Sequence, residues 1–384
     1  MEPGVPPVPN QDLPPESGAA PEPVSQFAPE FKELPRRGLR WIFIGPSGLR
    51  AGWSVAVFRA VWFLIIVIVG GASFWLHLIE EKPKFTASAS FFQELVVVIG
   101  MLAGAAAVAL LEGRKILDFN LRGPRRIRHF FSGLVAGFVA LSLLVCTLWL
   151  GGWVSFGPVA LSGAAVFRFG AMWGCAFLLV GCYEEGTFRC YLQFTLTRSL
   201  NFWWALAVVA AICAWPAITG KGNGIWGVFV IALLGLAPCL WLHLKRAPGN
   251  GFWQAAWVTS TLFGLFHTGN GGENWVGVFH AAAIGFVFCV SVRVTGSAWW
   301  AIGCHAAWDW SETYFYGSTD SGLVASGHFL STTPAGNVLW SGGAAGPEGS
   351  ALAMIVILLL LVFLVAAYGR RQPMAEPAPM QAVS

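Results

Sequence analysis

Uninterrupted apolar runs of about 18 residues or more recur along this chain of 384 residues, and they narrow its possible folds more than any other feature. Inside hydrocarbon each backbone N–H and C=O must be satisfied by a helix or a closed barrel, and these runs are too long for barrel strands. They span approximately Val55–Leu78, Phe92–Leu111, Phe130–Trp153, Ala165–Cys182 or beyond, and Phe202–Ile218. Others follow at Ile225–Leu244, Trp253–Phe266, Trp275–Val292, Ala298–Phe315 and Ala351–Tyr368. The expected fold is an all-α, polytopic transmembrane bundle of about ten helices. A composition of 56% hydrophobic and only 11% charged residues excludes a soluble domain of this length.

Basic residues test the count, because cationic loops should fall on alternate faces only if no span is missed. Arg36, Arg37 and Arg40 precede the first span, and Arg114, Lys115, Arg122, Arg125, Arg126 and Arg128 follow the second. Arg198, Lys245 with Arg246, Arg293, and Arg370 with Arg371 mark the ends of the fourth, sixth, eighth and tenth. Both termini are therefore predicted to be cytoplasmic, with a bacterial plasma membrane as the expected location. The net charge of +4 resides in loops and tails and does not point to nucleic acid.

The chain divides into a Pro-rich disordered tail (1–50), N-terminal helices (51–160), a catalytic helical core (161–316), a Gly/Ser-rich non-cytoplasmic loop (317–349), and a last helix with a short tail (350–384). No signal-peptide pattern opens the sequence. No internal repeat is evident. Trp203, Trp204, Trp299 and Trp300 stand at helix starts, where indoles favour the headgroup region. The eight cysteines all lie in apolar stretches and read as small buried hydrophobes.

Ionisable residues within apolar spans are costly unless paired, so the few present are functional candidates. In Glu184-Glu185-Gly-Thr-Phe-Arg189, Glu185 and Arg189 share a helix face at i,i+4, while Glu184 points elsewhere. Arg189 can hold Glu185 as a structural pair and leave Glu184 to project into a cavity as a base, although a solvated pair at a helix end has the same spacing. Phe263 precedes His267 by one turn at the end of a short span; alone, this reads as readily as a capping histidine. His305 and Asp309 share a face in a third apolar segment, either as a self-satisfied pair or as part of a site. His280, on the next helix, reads as structural.

Together these residues suit amide hydrolysis. Glu184 with His267 would deprotonate a water, and His305 would stabilise the oxyanion. The same set suits a zinc site with Glu184, His267 and His305 as ligands and water fourth. The usual His-Glu-x-x-His motif is missing. Spacing leaves both open.

The three blocks, in this order, resemble the CAAX protease and bacteriocin-processing family of intramembrane endopeptidases, also called Abi, whose pattern is EExxxR, FxxxH and HxxxN or HxxxD. The resemblance covers about 165–316. It implies Glu184 as the water-activating base, His267 as its partner, His305 and Asp309 at the oxyanion, and Glu185, Arg189 and Phe263 in support. It also implies no required cofactor in the preferred mechanism, a divalent metal such as zinc in the other, and a membrane-associated protein or peptide as substrate. Asp309 stands where many members carry Asn, and as a carboxylate it would orient His305 rather than donate to an oxyanion.

Intramembrane Glu, Asp and His also build proton relays, so a proton-coupled transporter is the second reading, and a noncatalytic scaffold or immunity protein of the same fold the third. The span boundaries put Glu184 and His267 toward opposite membrane faces. A shared site requires that the fourth helix continue to about Leu200 or that the span ending at His267 be re-entrant.

Overall fold

The computed structural model describes residues 40–45, 48–76, 85–199, 202–219, 225–246, 249–320 and 322–369. The Pro-rich tail before residue 40, His77, and Arg370 and Arg371 lie outside them. Among the described residues ten apolar helices follow one another: α1 (Ala51–Trp75), α2 (Ala87–Leu111), α3 (Arg126–Leu150), α4 (Ala164–Glu185, continued to Thr197), α5 (Phe202–Thr219), α6 (Ile225–Lys245), α7 (Asn250–Phe266), α8 (Trp275–Thr295), α9 (Trp299–Asp309, continued to Phe315) and α10 (Ala353–Tyr368). Six of these are long and apolar enough to cross a membrane. The chain is an integral, multi-pass, all-α membrane protein, as its apolar runs require.

Two groups of loops define the ends of the bundle. At one end the basic segment after α2 meets the α8–α9 turn, where Ala298 N–H bonds Asn120 O (2.9 Å) and the Trp299 indole bonds Leu121 O (3.0 Å). Glu112 at the end of α2 takes Arg114 (2.9 Å) and Arg198 (3.3 Å), tying α2 to the end of α4. At the other end the segment after α9 folds over the bundle. Its strand Thr332–Pro334 pairs antiparallel with Val154–Phe156, Ser326 bridges Thr86, and the Asn274 amide reaches Gly342 O and Gly349 O (both 3.3 Å).

Helices α3 and α9 approach to backbone contact. Gly133 and Gly137 on α3 face the Trp300 and Cys304 carbonyls, and Gly303 on α9 faces the Phe130 carbonyl; a Cβ at any of them would collide with backbone. Lipid supplies no hydrophobic drive for helices to associate, so this small-residue crossing and its dispersion contacts hold α9 in place. On the other side of α9, a Cβ at Gly181 of α4 would lie 2.9 Å from the Ile302 carbonyl. His305 therefore sits on a helix clamped by backbone-to-backbone approach from two neighbours. Trp300 departs from the expected interfacial position. It is fully buried in the core with Leu141, Leu144 and Phe288, because the glycines of α3 draw the start of α9 inward. Trp203 and Trp204 remain exposed.

Candidate active site

The fourth helix does not stop at Glu185. It passes through a π-helical segment, Gly186–Leu192, and ends at Thr197, giving 34 continuous residues from Ala164. Glu184 thus lies within about one turn of its middle, the first of the two arrangements that a shared site requires. A second π-helical segment, Trp310–Phe315, begins directly after Asp309. Such segments recur at functional sites because the added residue turns side chains off the regular helical face.

Glu185 and Arg189 are both fully buried, with Arg189 Nε 3.2 Å from Glu185 Oε2 and Nη1 3.3 Å from Oε1. Two charges in an apolar interior require mutual contact and further partners. Glu185 has one in His305, whose Nδ1 donates to Oε1 at 2.8 Å. Arg189 has aromatic faces: its guanidinium lies 4.1 Å from the Phe263 ring and 5.5 Å from Phe288, the arrangement favoured by the ring quadrupole. Phe263, the first residue of the second block, therefore supports the arginine of the first.

With Nδ1 fixed by Glu185, His305 Nε2 faces Asp309 Oδ2 at 3.5 Å and Glu184 Oε2 at 3.7 Å. These are ion-pair separations, longer than hydrogen bonds. Phe288 stacks on the His305 ring at 5.7 Å. His267 caps α7; its Nδ1 contacts Phe263 O at 2.8 Å, and among the described residues no hydrogen bond or ion pair joins it to Glu184.

Glu184, His267, His305 and Asp309 all line one cavity of about 460 Å³. Its wall also includes Glu94, His280, Glu312, Asp320 and Glu348, of which only His280 drew notice in the sequence. Glu94 interrupts an apolar run as Glu184 does, and Glu312 follows Asp309 by three residues, so both carried a sequence signal. Asp320 and Glu348 belong to a loop whose folding over the bundle no local pattern announces. His280 is anchored through Nδ1 to Glu348 O at 2.8 Å. Outside the spans, burial raises the Glu348 carboxyl well above its usual range, assisted by Glu273 and Asp320. Burial likewise raises Glu273, against the pull of the Asn274 N–H and His267.

A metal would need three of these side chains to converge on one point. Among the described residues no three His, Cys, Asp or Glu side chains do so. The arrangement present does not fit an ion held by Glu184, His267 and His305.

In comparison with protein families, the model of the Rce1-like type II CAAX prenyl endopeptidases matches residues 239–311. That stretch holds Phe263, His267, His305 and Asp309 and stops short of Glu184, Glu185 and Arg189, which the fold brings to them. Neither the curated proteins nor the solved structures gave a match. Over residues 239–311 the chain is thus similar to the Rce1-like type II CAAX prenyl endopeptidases, which is consistent with the CAAX protease and bacteriocin-processing family that its three blocks resemble.

Proposed function

We propose that this protein is an intramembrane endopeptidase that hydrolyses a peptide bond in a membrane-associated substrate through a glutamate-activated water. The observation that carries the reading is the pair formed by Glu184 Oε2 and His305 Nε2. They stand 3.7 Å apart on one cavity wall, with the imidazole oriented from behind by Glu185.

In this mechanism Glu184 takes a proton from water as the oxygen attacks the scissile carbonyl. His267, on the same cavity wall, assists Glu184 in activating that water. His305 presents Nε2 to the developing oxyanion, which the preset Glu185–His305 bond favours because no reorganisation is needed as charge appears. Asp309 orients His305 and balances its charge. Glu184 then returns the proton to the leaving amine. Glu185 and Arg189 fix the geometry from behind the cavity wall, and Phe263, which lines the cavity, supports Arg189. No step passes through a metal.

With the basic loops cytoplasmic, both termini lie in the cytoplasm. The loop residues that line the cavity, among them His267, Asn270, Asp320 and Leu323, belong to the opposite end of the bundle. Substrate would then reach the site from the non-cytoplasmic side. A bacterial plasma membrane suits this arrangement.

Hydrolysis of a membrane-peptide panel by purified protein in proteoliposomes tests the reading. Wild type is expected to cleave, and Glu184→Gln and His305→Ala to be inactive. Equal cleavage by all three would overturn the assignment, and Glu184-dependent proton flux without cleavage would favour a transporter.

A further inference from the structure

Positive charge gathers on the segment that joins α2 to α3. It carries Arg114, Lys115, Arg122, Arg125, Arg126 and Arg128 within fifteen residues, and two of these are answered from nearby. Arg114 Nε lies 2.9 Å from Glu112 and Arg122 Nε 2.8 Å from Asp118. Among the described residues no ion pair involves Arg125, Arg126 or Arg128, and all three are exposed.

The local geometry concentrates this charge. Arg125 is the N-cap of α3 and holds a left-handed conformation, φ 53°, with no side-chain cap and no acidic residue in the first turn. Arg125 and Arg128 stand three residues apart, where like charges oppose each other, and the free N–H groups of a helix start add to the same field. An anion relieves both. The backbone leading to them is held in place from two sides: Asn120 O accepts the Ala298 N–H at 2.9 Å, the Asn120 amide donates to Arg189 O at 2.8 Å, and the Trp299 indole donates to Leu121 O at 3.0 Å. A frame fixed in advance lowers the ordering cost of binding.

The surface beside the arginines says which anion fits. Arg126 and Arg128 flank Ile127, and from Ile127 an exposed apolar stripe continues through Phe131 and Val135 at i,i+4 spacing along α3. Cationic groups at the head of an apolar, lipid-facing stripe match an amphipathic anion with acyl chains. Basic clusters at the end of a membrane span attract anionic headgroups in this way. We propose that Arg125, Arg126 and Arg128 dock the phosphate headgroup of an anionic phospholipid, one of whose acyl chains runs along Ile127, Phe131 and Val135. The site is separate from the Glu184–His305 cavity and does not depend on the endopeptidase reading.

Native mass spectrometry of the full chain in detergent tests this, with phosphatidylglycerol and phosphatidylcholine of identical acyl chains offered in equal amounts. Wild type should retain phosphatidylglycerol over phosphatidylcholine by about tenfold or more. R125Q/R126Q/R128Q should lose most of that preference, whereas K245Q/R246Q/R370Q, which removes as many charges elsewhere, should keep it. Melting curves establish that each variant is folded. Where the first triple variant is not, R126Q and R128Q decide, each expected to weaken the preference severalfold. Equal retention of the two lipids by wild type, a preference kept without the three arginines, or the same loss in the control variant would overturn the site. Glycerol phosphate in excess should leave phosphatidylglycerol bound; displacement by it would show a site for soluble phosphates and overturn the lipid assignment.

Discussion

Glu185 and His305, from α4 and α9, share a 2.8 Å hydrogen bond that fixes the imidazole and leaves its other nitrogen facing Glu184 and Asp309. Adjacent glutamates in one helix thereby take different work, one holding the histidine from behind and the other open to the cavity. Their side-chain exposures separate them: 0% for Glu185 and 23% for Glu184.

Replacing Glu184 by Gln keeps the shape and removes the base. Hydrolysis is expected to fall by about a hundred- to ten-thousand-fold, in line with general-base catalysis, with binding of uncleaved peptide retained. Steady-state cleavage and anisotropy on the same preparation check this; a variant within a few-fold of wild type would remove Glu184 from the mechanism.

Arg189 and Glu185 are buried together, so losing one partner strands the other. Arg189→Met alone should destabilise the protein by about 3–5 kcal/mol, and Arg189→Met with Glu185→Gln by less. Unfolding of both in detergent gives the comparison. Additive losses would show that the pair is not coupled. Phe263→Leu, which removes the aromatic face from Arg189, should cost a further few tenths to about 2 kcal/mol.

The α3–α9 crossing leaves no room for side chains. Gly137→Ala or Gly303→Ala should each force the helices apart at a cost of about 1–3 kcal/mol or more, and should lower activity by displacing His305. Thermal melts paired with cleavage rates test this, and an unperturbed Gly137→Ala would mean the crossing is looser than described.

Glu348 has a folded pKa above that of the unfolded chain, about 4.3 for glutamate, because burial, Glu273 and Asp320 oppose its charge. A raised folded pKa contributes stability below the unfolded value and loses it as pH rises through the folded one. The melting temperature should therefore decline with rising pH above about 5, and E348Q should flatten part of that decline. An unchanged slope in E348Q would place the titrating group elsewhere.

Chelator distinguishes the two chemistries first suggested by Glu184, His267 and His305. Because no three such side chains converge among the described residues, EDTA is expected to leave hydrolysis unchanged. Loss of activity that zinc restores would require a different arrangement during turnover.

The sequence by itself determined the helical membrane architecture, since run length and backbone hydrogen bonding leave no other fold for such segments in lipid. It also separated Glu185 from Glu184, because i,i+4 spacing puts Arg189 beside only one of them. Tertiary structure decided the rest. The π-helical continuation to Thr197, which period-3.6 reasoning does not contain, brought Glu184 to the cavity that His267 also lines. Glycine-level approach of α3 to α9 set the position of His305 and buried Trp300. The loop bearing Asp320 and Glu348 completed the cavity through contacts between residues distant in the chain, for which no local spacing exists.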